Sequence, residues 1–124
     1  MKTPRIIKSL AYAARGLAKT WREEANFRIE ALATLLVGVL AWCLGLNWQE
    51  WAILALACGL VLALELVNTM IEQISDVLKP RLDQYVRHIK DISAAAVLVA
   101  SLFAVIVGLC LFLPPLVRLF YWQG

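Results

Sequence analysis

Residues 51–76 read "WAILALACGLVLALELVNTMIEQISD". The first fourteen, 51–64, carry no charge, and an acidic pattern follows at once. Glu65, Asn68, Thr69, Glu72 and Asp76 fall at i, i+3, i+4, i+7 and i+11. On a helix these positions share one face. An ionised carboxylate in hydrocarbon is costly, so an acidic residue at the edge of an apolar helix points to function. The stretch predicts a membrane span that ends in a graded acidic ridge. Glu65 stands at the apolar boundary, Glu72 about 10 Å further along the axis, and Asp76 near water.

The rest of the composition agrees with a membrane setting. The 124 residues are 62% apolar and 17% charged, against about half and a quarter in soluble domains. Residues 1–124 are expected to form a single domain. Residues 2–28 are broken by a charge every few positions, so no secretory signal is expected and the mature protein is expected to be the whole chain. Cys43, Cys58 and Cys110 lie far apart in apolar runs, which is no metal spacing. They read as small buried hydrophobes.

Working outward, residues 4–26 carry two interleaved stripes at helical spacing. Ile7, Leu10, Ala14, Leu17 and Trp21 form one; Arg5, Lys8, Tyr12, Arg15, Lys19 and Arg22 form the other. This is the pattern of an amphipathic helix lying on an anionic membrane surface; docking on a partner protein is the alternative. Apolar runs predict spans at about 29–48, 51–74 and 92–113. The stretch "LNWQEW" (46–51) reads as a short interfacial turn, and "DVLKPRLDQYVRHIKD" (76–91) as a charged loop in which His88 is solvated. Pro114 and Pro115 are expected to end the last span, leaving "LVRLFYWQG" (116–124) as an aromatic interfacial anchor.

The cations orient the spans. Seven of the twelve Lys and Arg precede the first span: Lys2, Arg5, Lys8, Arg15, Lys19, Arg22 and Arg28. Lys79, Arg81, Arg87 and Lys90 sit in the second loop, and Arg118 alone in the tail. The excess of positive charge places the N-terminus and the second loop in the cytoplasm. The fold expected is an all-α membrane protein, an N-terminal amphipathic interfacial helix plus three transmembrane helices.

Three charged clusters then meet at one membrane face: Glu23, Glu24, Arg28 and Glu30; Glu65, Glu72 and Asp76; and Lys90 with Asp91. Two carboxylates on different helices can hold Mg²⁺ together with phosphate oxygens. Lysine and arginine can neutralise a polyphosphate, and a deeper carboxylate can accept a proton from a hydroxyl at the lipid boundary. These parts suit phosphoryl transfer from a soluble nucleotide to a membrane alcohol. Neither G-x-x-x-x-G-K-[ST] nor G-x-G-x-x-G is present, which excludes P-loop and protein-kinase enzymes. On the residues alone, a proton- or ion-coupled carrier subunit and an assembly protein without turnover stay open, as does simple pairing of charges that flank the spans.

"ELVNTMIEQISD" resembles the E-x-x-N-[ST]-x-I-E-x-x-x-D signature of the small prokaryotic integral-membrane diacylglycerol kinases, a family with a branch acting on undecaprenol. "RIIKSLAYAARGL" (5–17), "EEANFRIEA" (23–31) and "KDISAAAVLV" (90–99) match in order, so the resemblance spans nearly all of residues 5–112. It implies a homotrimer in the bacterial cytoplasmic (inner) membrane, with active sites shared between subunits. It implies ATP and Mg²⁺, a membrane lipid alcohol as acceptor, and no nucleic-acid partner. It implies Glu65 as the catalytic base, Asn68 as a residue that orients Glu65 or the substrate, and Glu24 and Glu72 as metal ligands. Arg5, Tyr12, Glu24, Glu72, Lys90 and Asp91 would bind nucleotide; Arg5, Phe27, Arg28, Glu30 and Glu65 would bind the lipid. Ile89 departs from the family's usual alanine, Met70 replaces another and reads as packing, and the loop before Lys90 has its own sequence. "ANFR" is similar to the undecaprenol branch and Glu30 to the diacylglycerol branch.

Overall fold

The computed structural model describes residues 4–81 and 83–123. Lys2 of the basic N-terminal stretch and Leu82 of the second loop lie outside the described residues. Among the described residues four helices follow one another: α1 (Arg5–Glu23), α2 (Ala25–Leu44), α3 (Trp48–Leu78) and α4 (Asp83–Trp122). The last three are long and apolar enough to cross a membrane. At 1.5 Å per residue α2 is about 30 Å long, the thickness of the hydrocarbon core. α3 and α4 exceed it, at about 46 and 60 Å.

Three short joints fix the topology. Glu24 alone separates α1 from α2; it is extended (φ −109°, ψ 107°) and serves as the end residue of both helices. Its N–H donates to the Thr20 carbonyl and its carbonyl accepts from the Arg28 N–H. The break therefore comes two residues before the end expected for the interfacial segment at Asn26. Between α2 and α3, Gly45 takes the left-handed conformation (φ 68°). The Leu46 N–H then reaches the Ala41 carbonyl and the Gly45 N–H the Trp42 carbonyl. This is the 6→1, 5→2 closure that satisfies the last carbonyls of a helix, with Leu46 and Ala41 in apolar contact beneath it. Asn47 then opens α3 with a reciprocal cap: its side chain accepts from the Glu50 N–H at 2.8 Å while the Glu50 carboxylate accepts from the Asn47 N–H at 3.2 Å.

The apolar core lies around that turn. Ala41, Leu46, Leu54, Leu111 and Phe112 form one buried cluster, flanked by Val37, Leu44, Trp51, Cys58, Val107 and Leu116. From there α3 and α4 run antiparallel in the most extensive helix packing of the molecule. Their seam repeats every seven residues: Leu54, Val61 and Ser75 on α3, and Val86, Ser93 and Ala100 on α4, are buried. A seven-residue period keeps one stripe facing the neighbouring helix and belongs to left-handed side-by-side packing. The seam is apolar near the turn and polar at the other end.

Several expectations are corrected here. α4 does not stop at Pro114–Pro115 but runs through both to Trp122. Two N–H donors are lost, yet a proline ring fixes φ at a helical value. Packing of Leu116 on the core cluster holds the next turn in place. The cysteines are not buried as a group either: Cys43 and Cys110 are exposed and Cys58 is half-buried. Met70 is exposed too, and is not part of the buried core. Lipid tails are as apolar as a leucine core, so apolar side chains on these helices need no cover from the same chain. The exposure of Leu36 (70%), Leu56 (76%) and Trp42 (80%) follows the same rule. Residues 83–91 are helical rather than loop, extending α4 past the predicted start at 92; His88 is exposed on it.

Gly45→Ala is expected to destabilise the molecule by about 1 kcal/mol, the cost of a Cβ in the left-handed region. Nothing lies within 4 Å of the added carbon, so the loss is backbone strain alone. Thermal unfolding in detergent, followed by circular dichroism, measures it.

Candidate functional site

α3 begins at Trp48 beside the Gly45 turn. About 20 residues of helix cross the hydrocarbon, which brings the far boundary to the neighbourhood of Asn68. Glu65 lies one turn before that level, Glu72 one turn beyond and Asp76 two turns beyond. The four side chains of the Glu65, Asn68, Thr69 and Glu72 group occupy the inner face of α3. Glu65 and Thr69 are buried, both at 7% exposure, while Asn68 and Glu72 are half-buried.

Two polar rungs join α3 to α4 at this end. In the first, the Ser93 hydroxyl donates to Asn68 Oδ1 at 2.7 Å, and Asn68 Nδ2 donates to Glu72 Oε1 at 3.3 Å. In the second, Lys90 Nζ pairs with Asp76 Oδ1 at 3.1 Å. The rungs follow from spacing. Asn68, Glu72 and Asp76 are successive turns of α3, and Lys90 and Ser93 are successive turns of the antiparallel α4. Glu72 Oε2 and the Glu65 carboxyl have no hydrogen-bond partner among the described residues, so both remain open to a ligand.

The start of α2 brings further carboxylates to the same place. The charges that reach the buried Glu65 are those of Glu30, Glu72 and Glu24. Glu24 comes there because it stands at the break between α1 and α2. Glu65, Glu72, Glu24 and Glu30 thus converge from two helices and one joint. Glu30 also lines a cavity of about 330 Å³ between α2, α3 and α4, with Thr34, Cys58, Val61, Ser101 and Phe112 among its walls. Val61 is one turn from Glu65, so this largely apolar cavity lies on the membrane side of the carboxylates.

The other residues singled out from sequence are placed as follows. Phe27 is buried and Asp91 exposed. Arg28 turns back over the end of α1, where its Nη1 donates to the carbonyls of Trp21 (2.7 Å) and Arg22 (2.9 Å). Its guanidinium thereby satisfies carbonyls that the helix end leaves free. Arg5 and Tyr12 stand apart from the carboxylates, about 27 and 17 Å along α1 from Glu23 at 1.5 Å per residue. The Arg15 guanidinium lies 5.0 Å from the Tyr12 ring centre. Ser93 was not among the sequence candidates. Its place three residues after Lys90, one helical turn, is the only local signal; its partner lies 25 residues earlier in the chain.

Comparison with known proteins gives a consistent result. The prokaryotic diacylglycerol kinase family matches residues 11–112. An undecaprenol kinase of Bacillus subtilis (strain 168) is 37% identical over 112 residues, covering 90% of this chain and 91% of the relative. A diacylglycerol kinase of Synechocystis sp. is 38% identical over 117 residues, 94% of this chain and 67% of the relative. A diacylglycerol kinase of Escherichia coli (strain K12) is 36% identical over 102 residues, 82% and 84% of the two chains.

The Lys90–Asp76 pair is solvent-exposed, at 37% and 67%. Exposed pairs contribute at most about 1 kcal/mol. Asp76→Asn is therefore expected to leave the unfolding midpoint in detergent within a few degrees of the parent. A collapse of the helical signal at ordinary temperature would show that the pair holds the helices together.

Proposed function

The chain belongs to the prokaryotic diacylglycerol kinase family and is a lipid kinase. We propose from that premise that it transfers the γ-phosphoryl group of ATP to the hydroxyl of diacylglycerol, yielding phosphatidic acid, at the cytoplasmic boundary of the bacterial inner membrane. One observation carries the assignment of the site: a buried, unpartnered Glu65 beside an apolar cavity, with Asn68 and Glu72 on the same face. The second reading, undecaprenol as acceptor, is favoured by the Bacillus relative, which matches over nearly its whole length.

In this reading the acceptor's tails lie in lipid and in the cavity beside Glu30, which brings its hydroxyl to Glu65. Glu65 accepts the hydroxyl proton as the oxygen attacks the phosphorus, a role worth about 10²–10⁴ in rate. The oxygen–phosphorus bond to ADP breaks as the new one forms, and the leaving nucleotide departs into water. Asn68 holds Glu72 through its amide and lies one turn from Glu65, where it borders the acceptor. Lys90 and Asp91 contact the nucleotide, and Phe27, Arg28 and Glu30 border the lipid. Glu24 and Glu72 fit a Mg²⁺ brought in on phosphate oxygens, because Mg²⁺ takes one or two carboxylates alongside its substrate. No cluster of three or more acidic, His or Cys side chains able to hold a metal by itself occurs among the described residues. When bound, Mg²⁺ neutralises charge on the transferring phosphoryl group.

The same reading includes residues 1–124 as a single domain, α1 as an amphipathic helix on the cytoplasmic membrane surface, and a homotrimer. The broad apolar exposure of α2, α3 and α4 supports neighbours or lipid on every side. A trimer also gives Arg5 and Tyr12, distant from the carboxylates of their own chain, a neighbour's site to reach. The basic residues of α1 and of the segment 79–90 support a cytoplasmic location for both.

Purified protein in bilayers, given labelled ATP and Mg²⁺, is expected to phosphorylate diacylglycerol in a panel that also holds ceramide-like and polyprenol acceptors. Glu65→Gln is expected to lower turnover at least 10²-fold with the oligomer unchanged by size-exclusion chromatography. Normal turnover by that variant would remove Glu65 as the base, and a preference for the polyprenol would select the second reading.

A further inference from the structure

We propose that Ser93 is a positioning residue for Glu72, acting through the Asn68 amide, and that it thereby sets the affinity of the site for the divalent metal on its nucleotide. The inference rests on the reading that Glu72 is a metal-holding carboxylate.

The argument starts from the orientation of one amide. Asn68 has a donor end and an acceptor end. A carboxylate only accepts, so Glu72 Oε1 requires the Nδ2 end, at 3.3 Å. Oδ1 then points to α4, where Ser93 donates its hydroxyl at 2.7 Å. Turned over, the amide would set its oxygen against the carboxylate oxygen and lose the bond. The Glu72 carboxylate thus sets which way the amide faces, and the Ser93 hydroxyl, by donating to Oδ1, anchors the amide in the place from which Nδ2 reaches Glu72. It does so from a protected place, since Ser93 is only 7% exposed and bulk water is a poor substitute.

The helix seam supplies the rigidity. Ser93 falls between Val86 and Ala100 in the seven-residue stripe of α4, and Asn68 falls between Val61 and Ser75 in that of α3. A polar pair inside an otherwise apolar seam fixes the axial register of two helices. Here the register-fixing pair is continuous with the site. Holding Oε1 on the amide leaves Oε2 as the oxygen offered outward, so the carboxylate is presented in one geometry rather than many. Preorganisation of this kind lowers the ordering cost of binding.

The test is direct binding, with turnover measured separately. Mn²⁺ replaces Mg²⁺ in the full-length protein in bilayers, with a non-hydrolysable ATP analogue present, and electron paramagnetic resonance titrates the bound ion. Ser93→Ala is expected to weaken Mn²⁺ binding about tenfold, comparable to loss of one hydrogen bond at a metal site. Ser93→Thr, which keeps the hydroxyl, is expected to recover most of it. In turnover, Ser93→Ala is expected to raise the Mg²⁺ concentration for half-maximal rate with the KM for lipid unchanged, a split that a general loosening of the fold would not produce. Equal Mn²⁺ affinity in parent and Ser93→Ala overturns the proposal, as does a Ser93→Thr variant as impaired as Ser93→Ala, or parent affinity unaffected by Glu72→Gln. A parent that binds Mn²⁺–nucleotide through Glu72 and Ser93 but phosphorylates no lipid leaves this inference standing and overturns the kinase assignment of the site.

Discussion

A polar side chain between two helices in lipid must find its hydrogen bonds within the helix pair, because the surroundings offer none. The α3–α4 seam is organised by that constraint. Near the Gly45 turn it is closed by Leu54, Leu111 and Phe112, which ask for nothing but contact. Toward the other end it carries Asn68, Ser75 and Ser93, and with them Glu65, Thr69 and Glu72. The polar groups are tolerated there because α4 returns antiparallel and meets them with a hydroxyl and an ammonium. The same pairing that makes the seam stable leaves Glu65 and one oxygen of Glu72 free.

Much of this was legible in the chain before any coordinates. The uncharged run 51–64 and the acidic period after it identified α3 and its face, since 3.6 residues per turn is enough to align Glu65, Asn68 and Glu72. The three apolar helices followed from length and composition, and the family from motifs spaced along the whole chain. Helix ends were less legible. Pro114 and Pro115 look like a stop, but α4 runs through both, with Leu116 of the next turn packed on the core. The asparagine–glutamate cap at Asn47 has a recognisable i, i+3 signature that the interfacial reading of "LNWQEW" passed over. Burial of the cysteines was misjudged because a membrane helix has two apolar sides, and sequence does not say which one faces protein.

The site divides the same way. The acidic residues announce themselves, as a charge in an apolar chain must. Ser93 does not, since a serine in a helix is common and its meaning lies in a partner on another helix. Arg28 is the converse case. The resemblance implies a lipid contact for it, and the structure adds a bond from its guanidinium to the last carbonyls of α1, which the sequence did not suggest. A cation at a helix end satisfies backbone as readily as it does a substrate.

The joints have a mechanical meaning. One residue connects α1 to α2, three connect α2 to α3, and four lie between Leu78 and Asp83. None of these three connections is long enough to fold over the carboxylates as a lid. Among the described residues, cover for the carboxylates comes from the flanks of the helices themselves. Glu24 alone sets the angle between α1 and α2, so a residue inserted there would change how the two helices meet.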